Sequence, residues 1–299
     1  MFDLITILGP TAIGKTSYAC RVAYEFNGEI ISADSRQIYK NLNIGTGKDL
    51  NEYKILNKQI RYHLIDIVDP MIEFNIFNYK RLFIDSYNKI KNNNKLPILC
   101  GGSGLYLDCI LRNYKMNLAK SNHNLHESLN VLSKKQLEEY LKKTNPNLHN
   151  TTDLVSKNRI IKAIEIAENK HSKSHKKLSI NFNSSISLGL IIDREILKES
   201  INERLNNRIK EGLIDEVEGL VKIGVSYNRL IQLGLEYKFI SYYLLGKICK
   251  DDMIEKLKIA IHQFSKRQMT FFRYMEKNGV KIKWINNPSY KKIKNALIV

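Results

Sequence analysis

A run of eight residues near the N-terminus has the composition and spacing of a phosphate-binding loop. Residues 9–16 read Gly-Pro-Thr-Ala-Ile-Gly-Lys-Thr and match the pattern G-x-x-x-x-G-K-[ST] at every defined position. In such a loop, backbone N–H groups surround phosphate oxygens, the lysine neutralises their charge and the last hydroxyl holds Mg²⁺. The residues predicted to bind a diphosphate or polyphosphate are Gly9, Pro10, Thr11, Ala12, Ile13, Gly14, Lys15 and Thr16. Thr16 is the predicted Mg²⁺ ligand.

The sequence on either side of this loop predicts the structure that the motif requires. Residues 4–8 are a short apolar run typical of a buried parallel strand, and residues 17–26 have the spacing of a helix. A chance match need not lie between a strand and a helix, so we set that alternative aside. We predict an α/β fold with a P-loop NTPase-like parallel sheet core flanked by helices.

Polar residues follow two more predicted strands. Residues 29–33 read as a strand and are followed by Asp-Ser-Arg-Gln at 34–37, while the strand predicted over 96–100 runs into a glycine-rich turn at 101–106. Open α/β sheets bind ligands at the carboxyl ends of their strands. A ligand site is therefore one interpretation of residues 34–37, and a simple polar turn is the other.

Two neighbouring segments have plainer interpretations. The sequence Gly-Thr-Gly-Lys at 45–48 is predicted to be a flexible, solvated turn. Residues 62–70 predict a short buried strand that ends in a turn, and His63 within it is interpreted as a hydrogen-bonded structural residue rather than a catalyst.

The strand pattern stops in the middle of the chain. Residues 114–185 lack strand-like runs and contain helical stretches at 133–143 and 157–168, so we predict a helical insertion into a core formed by residues 1–113 and 186–299.

The second of these predicted helices has a polar side. Asn158, Arg159 and Lys162 lie opposite Ile160, Ile161 and Ile164. A solvated basic face and a contact with RNA phosphates both explain the polar side.

The C-terminal part predicts two further basic helices and a closing strand at 280–285. Arg204 and Arg208 are four residues apart in a helical stretch that is interrupted near Gly212, and two arginines on one turn can clamp an anion. Residues 251–278 predict a long amphipathic helix, with Lys266, Thr270 and Arg273 on one face.

The composition adds a strong positive charge. The 299 residues include 48 Lys and Arg against 30 Asp and Glu, which gives a net charge of +18. This excess favours a polyanionic partner such as nucleic acid or an anionic membrane surface, although compositional bias toward Lys, Asn and Ile is the alternative explanation. No apolar run approaches the ~18 residues of a membrane helix and no signal region is evident, so we expect a cytoplasmic protein without a membrane partner.

The four cysteines have no spacing suited to zinc. Cys20, Cys100, Cys109 and Cys249 are far apart, and we predict buried, reduced thiols.

Five motifs, in order along nearly the whole chain, resemble those of the tRNA dimethylallyltransferase family. They are residues 9–16, Ser32-Ala33-Asp34-Ser35-Arg36-Gln37-Ile38-Tyr39, His63-Leu64-Ile65-Asp66, Gly101-Gly102-Ser103-Gly104-Leu105-Tyr106 and Lys266-Arg267-Gln268-x-Thr270-x-x-Arg273. Departures from the family pattern are Ser103 for Thr, Phe271 for Trp, Lys162 for Arg, Val155-Ser156 for an Asn-Asp pair, and residues 232–238 for a segment that commonly contains Ala-Ile-Gly-Tyr-Lys. These departures concern tRNA contact rather than the reaction.

The resemblance implies transfer of a dimethylallyl group from dimethylallyl diphosphate to N6 of the adenosine adjacent to the anticodon of tRNA. The expected catalytic residues are Asp34, Thr16 and Arg204. Asp34 would take the proton of the adenine amine, while Lys15, the loop amides, Mg²⁺ held through Thr16, and Arg204 would stabilise the departing diphosphate.

The implied RNA partner is the anticodon stem-loop, whose unpaired bases are easily extruded. Ser35 and Gln37 would hold the edge of the flipped base, and the insertion and last long helix would grip phosphates. The predicted tRNA-binding residues are Asp34, Ser35, Arg36, Gln37, Ser103, Asn158, Arg159, Lys162, Lys266, Arg267 and Arg273. We expect a monomer.

Two other classes of protein use phosphate-binding loops. The main alternative is a P-loop kinase of a small metabolite, against which the positive charge argues weakly and the resemblance strongly. A GTP-binding switch lacks support, because the sequence contains no Asn-Lys-x-Asp guanine signature.

Overall fold

The structure is a computed structural model that describes residues 2–117, 123–146, 154, 156–169 and 177–298. The chain divides into two compact units. The core unit comprises Met1–Tyr114 and Ile180–Val299, and the helical unit comprises Lys115–Ser179.

A parallel sheet forms the centre of the core unit. The strands are β1 (Leu4–Leu8), β2 (Gly28–Ala33), β3 (Lys54–Ile55), β4 (Lys58–Gln59), β5 (Tyr62–His63), β6 (Leu96–Gly101), β7 (Met116–Asn117), β8 (Lys177–Leu178), β9 (Ser185–Ile191) and β10 (Lys283–Asn286). Six of them pair in parallel in the order β10-β9-β1-β6-β2-β5. Because parallel strands end at one edge, the segments that follow β1, β2 and β6 meet there. The predicted α/β fold is confirmed.

Helices cover the sheet and build the helical unit. They are α1 (Lys15–Glu25), α2 (Ile76–Asn92), α3 (Gly104–Leu111), α4 (His123–Asn130), α5 (Lys134–Thr144), α6 (Lys157–Asn169), α7 (Arg194–Lys210), α8 (Leu213–Lys222), α9 (Tyr227–Leu233), α10 (Leu235–Leu244), α11 (Lys250–Lys277) and α12 (Tyr290–Leu297), with a 3₁₀ helix at Leu50–Tyr53. Within the described ranges, none is long and apolar enough to span a membrane.

The core lies on both faces of the sheet, which explains why the central strands are continuous apolar runs. Ile5 and Ile7 of β1 face one hydrophobic cluster, whereas Leu4 and Leu8 face another. A third cluster joins α7, α8, α10 and α11 and includes Leu205 and Tyr237. This third cluster fixes the two helices, α7 and α11, that border the site described below.

The helical unit has an apolar core of its own, formed by Leu129, Leu137, Leu141, Ile160, Ile161 and Ile164. Its helix α6 buries the three isoleucines and exposes Asn158, Arg159 and Lys162, so the two-sided helix predicted from the sequence is confirmed. Val155, one of the two residues that replace the Asn-Asp pair of the family pattern, lies outside the described residues.

Three short elements differ from the sequence predictions. The region predicted to lack strands contains β7 and β8, an antiparallel pair too short to show an alternating pattern. The strand predicted from residue 62 ends at His63, because Leu64 and Asp66 adopt positive φ values of 63° and 56°. The closing strand begins at Lys283, and Val280 is buried in the core after α11 ends.

Candidate active site

The predicted phosphate-binding loop connects β1 with α1. Helix α1 begins at Lys15 directly after Gly14, whose φ of 76° lies in the left-handed region that favours glycine. No side chain caps this helix N-terminus. The first amide groups of α1 therefore remain available to an anion, and the helix dipole favours negative charge at the same place.

A cavity of about 470 Å³ lies over this loop, and we call it the loop cavity. Lys15 and Thr16 line it from the loop, Asp34 from the segment after β2, and Arg204 and Arg208 from α7. All three predicted catalytic residues therefore line one cavity. Four cationic side chains line the cavity, including that of Arg36, together with five carboxylates. The cations nearest the phosphate-binding loop and the free amides of α1 suit that end of the cavity to a polyanion, and the carboxylates leave room for a bridging cation.

Lys15 folds back over its own loop, where Nζ donates a hydrogen bond to the Pro10 carbonyl at 2.7 Å. Burial lowers the pKa of Lys15 to about 8, and Arg204 contributes in the same direction while Cys100 and Asp34 oppose the shift. The Lys15 ammonium group therefore loses its proton near pH 8 unless a phosphate stabilises the charge.

We expect the affinity for inorganic diphosphate to fall as the pH rises through about 8. The bound anion requires Lys15 in its protonated form, whereas Lys15 of the free protein loses its proton above this pH. Calorimetric titrations from pH 6.5 to 9.5 measure the effect. In Lys15→Arg the guanidinium stays charged over this range, so the decline should disappear while ionisation of the ligand is unchanged. The same decline in both proteins would show that Lys15 is not its cause.

Asp34 is held in a tight turn after β2. Its Oδ1 accepts hydrogen bonds from the backbone amides of Arg36, at 2.9 Å, and Gln37, at 3.2 Å. These two bonds fix the direction of the half-buried carboxylate. Among the described residues, no donor reaches Oδ2, so this oxygen can accept a proton from a bound molecule.

A second cavity, of about 450 Å³, adjoins the same turn, and we call it the turn cavity. Asp34, Ser35, Ser103 and Arg267 line it. The Ser103 hydroxyl accepts from the Ser35 amide at 2.9 Å and lies 3.3 Å from the Ser35 hydroxyl, which joins the segments after β2 and β6. Asp34 lines both cavities and therefore lies where they meet.

Gln37 makes its side-chain bonds within the protein. Its Nε2 donates to the carbonyls of Gly47, at 3.0 Å, and Thr46, at 3.3 Å, and its Oε1 accepts from the Ser32 hydroxyl at 3.2 Å. Contact of Gln37 with the substrate base stays a prediction, and such a contact has to replace at least one of these bonds.

Three charged side chains form a buried cluster beside the two cavities. The Glu236 carboxylate, 2% exposed, pairs with the Arg36 guanidinium and lies 3.5 Å from Arg208 Nη1. Arg36 also lies over the Phe264 ring, 5.8 Å from its centroid. Arg36 was predicted to bind tRNA, and in the structure its charge is directed to Glu236.

Arg208 is 8% exposed, and its Nη2 has no hydrogen-bond partner among the described residues. Burial, together with Arg204, lowers the pKa of Arg208 to about 10. An unpaired, buried cationic donor on the wall of the loop cavity is a further feature that suits an anionic ligand.

The loop at residues 45–48 contradicts the predicted solvated turn. Thr46 and Lys48 are each 6% exposed. The Thr46 hydroxyl donates to the Leu42 carbonyl, and Lys48 Nζ donates to the Tyr39 carbonyl and pairs with Asp66. The loop is anchored by Glu216, whose carboxylate accepts from the amides of Asn43, Ile44 and Gly45 at 2.8, 2.6 and 3.1 Å. Its conformation is therefore fixed by buried polar contacts that the local sequence does not show.

The long helix α11 is tied to both glycine turns by Gln268, which is 6% exposed. Its Oε1 accepts from the Thr11 amide in the phosphate-binding loop, and its Nε2 donates to the Gly102 carbonyl, both at 2.9 Å. The exposed face of α11 carries Lys266, Arg267 and Arg273. One helix thus connects predicted RNA-binding cations with the phosphate-binding loop.

Comparisons with known proteins match this arrangement to one family. The profile of a family described as IPP transferase matches residues 37–275. The protein named tRNA dimethylallyltransferase 1 of Parabacteroides distasonis is 45% identical over 285 residues, which are 95% of this chain and 92% of that protein. The protein of the same name from Azobacteroides pseudotrichonymphae is 48% identical over 288 residues, 95% of this chain and 93% of that protein.

The chain belongs to the tRNA dimethylallyltransferase family. A crystal structure of the full-length tRNA isopentenylpyrophosphate transferase from Bacillus halodurans has a TM-score of 0.70 at 30% identity, and the match covers 98% of this chain and 93% of that one. The resemblance drawn from the five motifs is confirmed, and the small-metabolite kinase is not favoured.

Two residues of the tRNA dimethylallyltransferase site have no role in the sequence predictions. Gln268 belongs to one of the five motifs, which could have marked it as a site residue. Its hydrogen-bond partners could not be predicted, because they are distant in sequence. Glu236 lies in the segment that departs from the family pattern, and no spacing marked it as a partner of Arg36.

The residues interpreted as structural from the sequence are hydrogen-bonded or buried, with one exception. His63 Nε2 lies 2.7 Å from the Glu29 carboxylate, which confirms the interpretation of His63 as a hydrogen-bonded residue. Cys20, Cys100 and Cys109 are buried free thiols as predicted. The prediction is wrong for Cys249, which is exposed and caps the N-terminus of α11, with its sulfur 3.5 Å from the Asp252 amide.

The loop cavity has donors that suit Mg²⁺. The Thr16 hydroxyl shares it with the carboxylates of Asp34, Asp49 and Glu52, and oxygen ligands are those that Mg²⁺ prefers. In the described part of the chain, no three His, Cys, Asp or Glu residues are grouped to hold a metal ion. Mg²⁺ usually takes one or two protein ligands and completes its shell with phosphates and water, so this donor set fits.

Proposed function

We propose that this protein transfers the dimethylallyl group of dimethylallyl diphosphate to N6 of the adenosine adjacent to the anticodon of tRNA. The bond from the allylic carbon to the diphosphate oxygen breaks, and a bond from that carbon to N6 forms. The adenine amine loses one proton, and diphosphate leaves. The products are N6-isopentenyladenosine in the tRNA and free diphosphate.

The observation that supports this reaction best is the position of Asp34 on the wall of two cavities. Diphosphate in the loop cavity and adenine in the turn cavity bring their reacting atoms together near this carboxylate. Holding both reactants in place supplies much of the rate enhancement that such a transfer needs. Asp34 Oδ2 then accepts the N6 proton while Oδ1 stays bound to its turn.

Cationic groups stabilise the leaving diphosphate. The amides at the start of α1 and the side chains of Lys15, Arg204 and Arg208 face the developing negative charge. Thr16 would hold Mg²⁺, and the ion would supply additional positive charge there.

The experiment that tests the proposal offers the protein two sets of substrates. With an unmodified tRNA and radiolabelled dimethylallyl diphosphate, label should enter the tRNA and diphosphate should be released. With ATP and a panel of small metabolites, no phosphoryl transfer should occur. Kinase activity without labelling of tRNA would overturn the proposal. Lys15→Ala serves as control, since it should reduce donor affinity and rate while tRNA affinity remains.

We expect tRNA binding to weaken steeply with salt, because exposed cations such as Lys266, Arg267 and Arg273 would contact phosphates. For ~4–6 phosphate contacts, log K should fall with log salt at a slope of about −3 to −5. Filter binding of the anticodon stem-loop between about 50 and 200 mM salt gives the slope. Lys266→Gln should reduce its magnitude by about 1. A flat response would remove these residues from the RNA-binding face.

Action on tRNA also leads us to propose a cytoplasmic location, and we propose that one copy of the chain carries the complete site. Gel filtration of the protein with and without the stem-loop tests the second point.

A further inference from the structure

A third cavity, of about 510 Å³, lies outside the site described above, and we call it the outer cavity. It is bounded by the segment after β9, the first turns of α7 and one face of α11. Its walls are largely apolar, with Ile192, Leu197, Ile201 and Met269 among the residues that line it. No residue of the predicted site other than Pro10, Lys266 and Arg273 reaches it.

The rim of the outer cavity is positively charged. Arg194, Lys198, Lys266 and Arg273 line it, and no acidic residue does. Lys198 is paired with Glu195 at 2.8 Å, whereas the other three make no ion pair with another described residue. An apolar interior below a cationic rim is complementary to a ligand with a flat apolar body and a negatively charged group, as in a nucleotide.

The wall of the outer cavity also carries polar side chains. Ser265 is the most buried of them, at 5% exposed. Its hydroxyl can donate a hydrogen bond to the edge of a bound base or accept one from it.

We infer that the outer cavity binds the base of a second unpaired nucleotide of the tRNA anticodon loop, next to the one that receives the dimethylallyl group. This inference rests on the proposed function. Gln263 lines both the outer cavity and the turn cavity, so the two lie on either side of α11, within about one helix diameter, ~10 Å. Neighbouring nucleotides of one loop can span that distance.

This subsite explains how the enzyme holds the loop open during transfer. Bases in an anticodon loop are unpaired, and sequestering a second one prevents the loop from restacking around the target position. The phosphates on either side of the sequestered base would lie against the rim cations, which fixes the path of the backbone.

A substitution that fills the cavity tests the inference against an altered RNA. Thr270 is exposed, lines the outer cavity and bonds only to the carbonyl of its own helix at Lys266, so Thr270→Trp can place an indole in the cavity without breaking a tertiary contact. Ile259→Trp is the matched control, since Ile259 is exposed on the same helix and lines none of the three cavities. Thermal unfolding of both variants verifies that they fold.

The altered RNAs are a set of anticodon stem-loops. Each carries one abasic site, at a different unpaired position other than the target. With native protein, one such position should lower kcat/KM about tenfold, because the buried contact of one base with the apolar wall is lost. Thr270→Trp should lower kcat/KM of the intact stem-loop by a similar factor and cause no further loss with that abasic RNA. Ser265→Ala should weaken transfer to the intact RNA and not to that abasic one.

Three outcomes would overturn the inference. In the first, the losses of kcat/KM caused by Thr270→Trp and by an abasic site multiply at every position. In the second, no abasic site lowers kcat/KM. In the third, Thr270→Trp and Ile259→Trp lower kcat/KM equally. A different result is that the native protein binds free adenosine monophosphate, with Thr270→Trp abolishing that binding and showing no coupling to any abasic position. That result would assign the cavity to a free nucleotide. Failure of native protein to modify the intact stem-loop is a separate result that contradicts the proposed function itself.

Discussion

Asp34→Asn should slow the chemical step by roughly 10² to 10⁴, the usual contribution of a general base. The substitution is conservative in structure, because an asparagine Oδ1 can still accept from the amides of Arg36 and Gln37 that hold the turn. It replaces Oδ2 with an amide nitrogen, which donates hydrogen bonds and cannot accept the N6 proton. Single-turnover transfer with both substrates saturating measures the step alone.

Binding measurements complete this test of Asp34. Affinity for the diphosphate donor should remain nearly unchanged, and so should affinity for the stem-loop if the carboxylate acts only on the proton. A variant with a near-normal single-turnover rate and weakened RNA binding would make Asp34 a recognition residue. The base would then have to be another group.

Glu236→Leu should lower the free energy of unfolding by about 3–5 kcal/mol, because it leaves the buried Arg208 guanidinium and the largely buried Arg36 guanidinium without their shared counter-charge. Urea denaturation measures the change. Glu236→Gln keeps the shape and part of the hydrogen bonding and should cost less. Glu255→Gln is the control, since its pair with Lys258 is on the surface and such pairs contribute little.

A double variant separates loss of pairing from loss of packing. Arg36→Gln in the Glu236→Leu background should recover part of the stability, because it removes one of the unpaired charges. Native stability of Glu236→Leu would show that solvent satisfies both arginines. That result would contradict the role of Glu236 as their anchor.

The parts of the site that could be predicted are those encoded by adjacent residues. The phosphate-binding loop is eight consecutive residues between a strand and a helix, and the Asp34 turn follows its strand directly. Spacing of apolar residues likewise predicted the strands of the parallel sheet and the two faces of α6. Each of these depends on contacts within a few residues or on a simple period.

The parts that could not be predicted depend on contacts between distant segments. Arg36 meets Glu236 across 200 positions, and Gln268 meets Thr11 across 257. The loop at 45–48 looked solvated because it is polar, and it is buried because Lys48 has Asp66 as a partner. A glutamate or a lysine has no local signature that distinguishes burial with a partner from exposure to water.

The two bonds of Gln268 make α11 a mechanical link between the substrates. Lys266 and Arg267 precede this glutamine directly on a helix of 28 residues, so a shift of the helix under bound RNA would also move the hydrogen bond to the Thr11 amide of the phosphate-binding loop. Thermodynamic linkage is reciprocal, and donor binding must alter RNA affinity by the same factor as RNA alters donor affinity. Coupling through this one side-chain amide would therefore favour neither substrate as the first to bind.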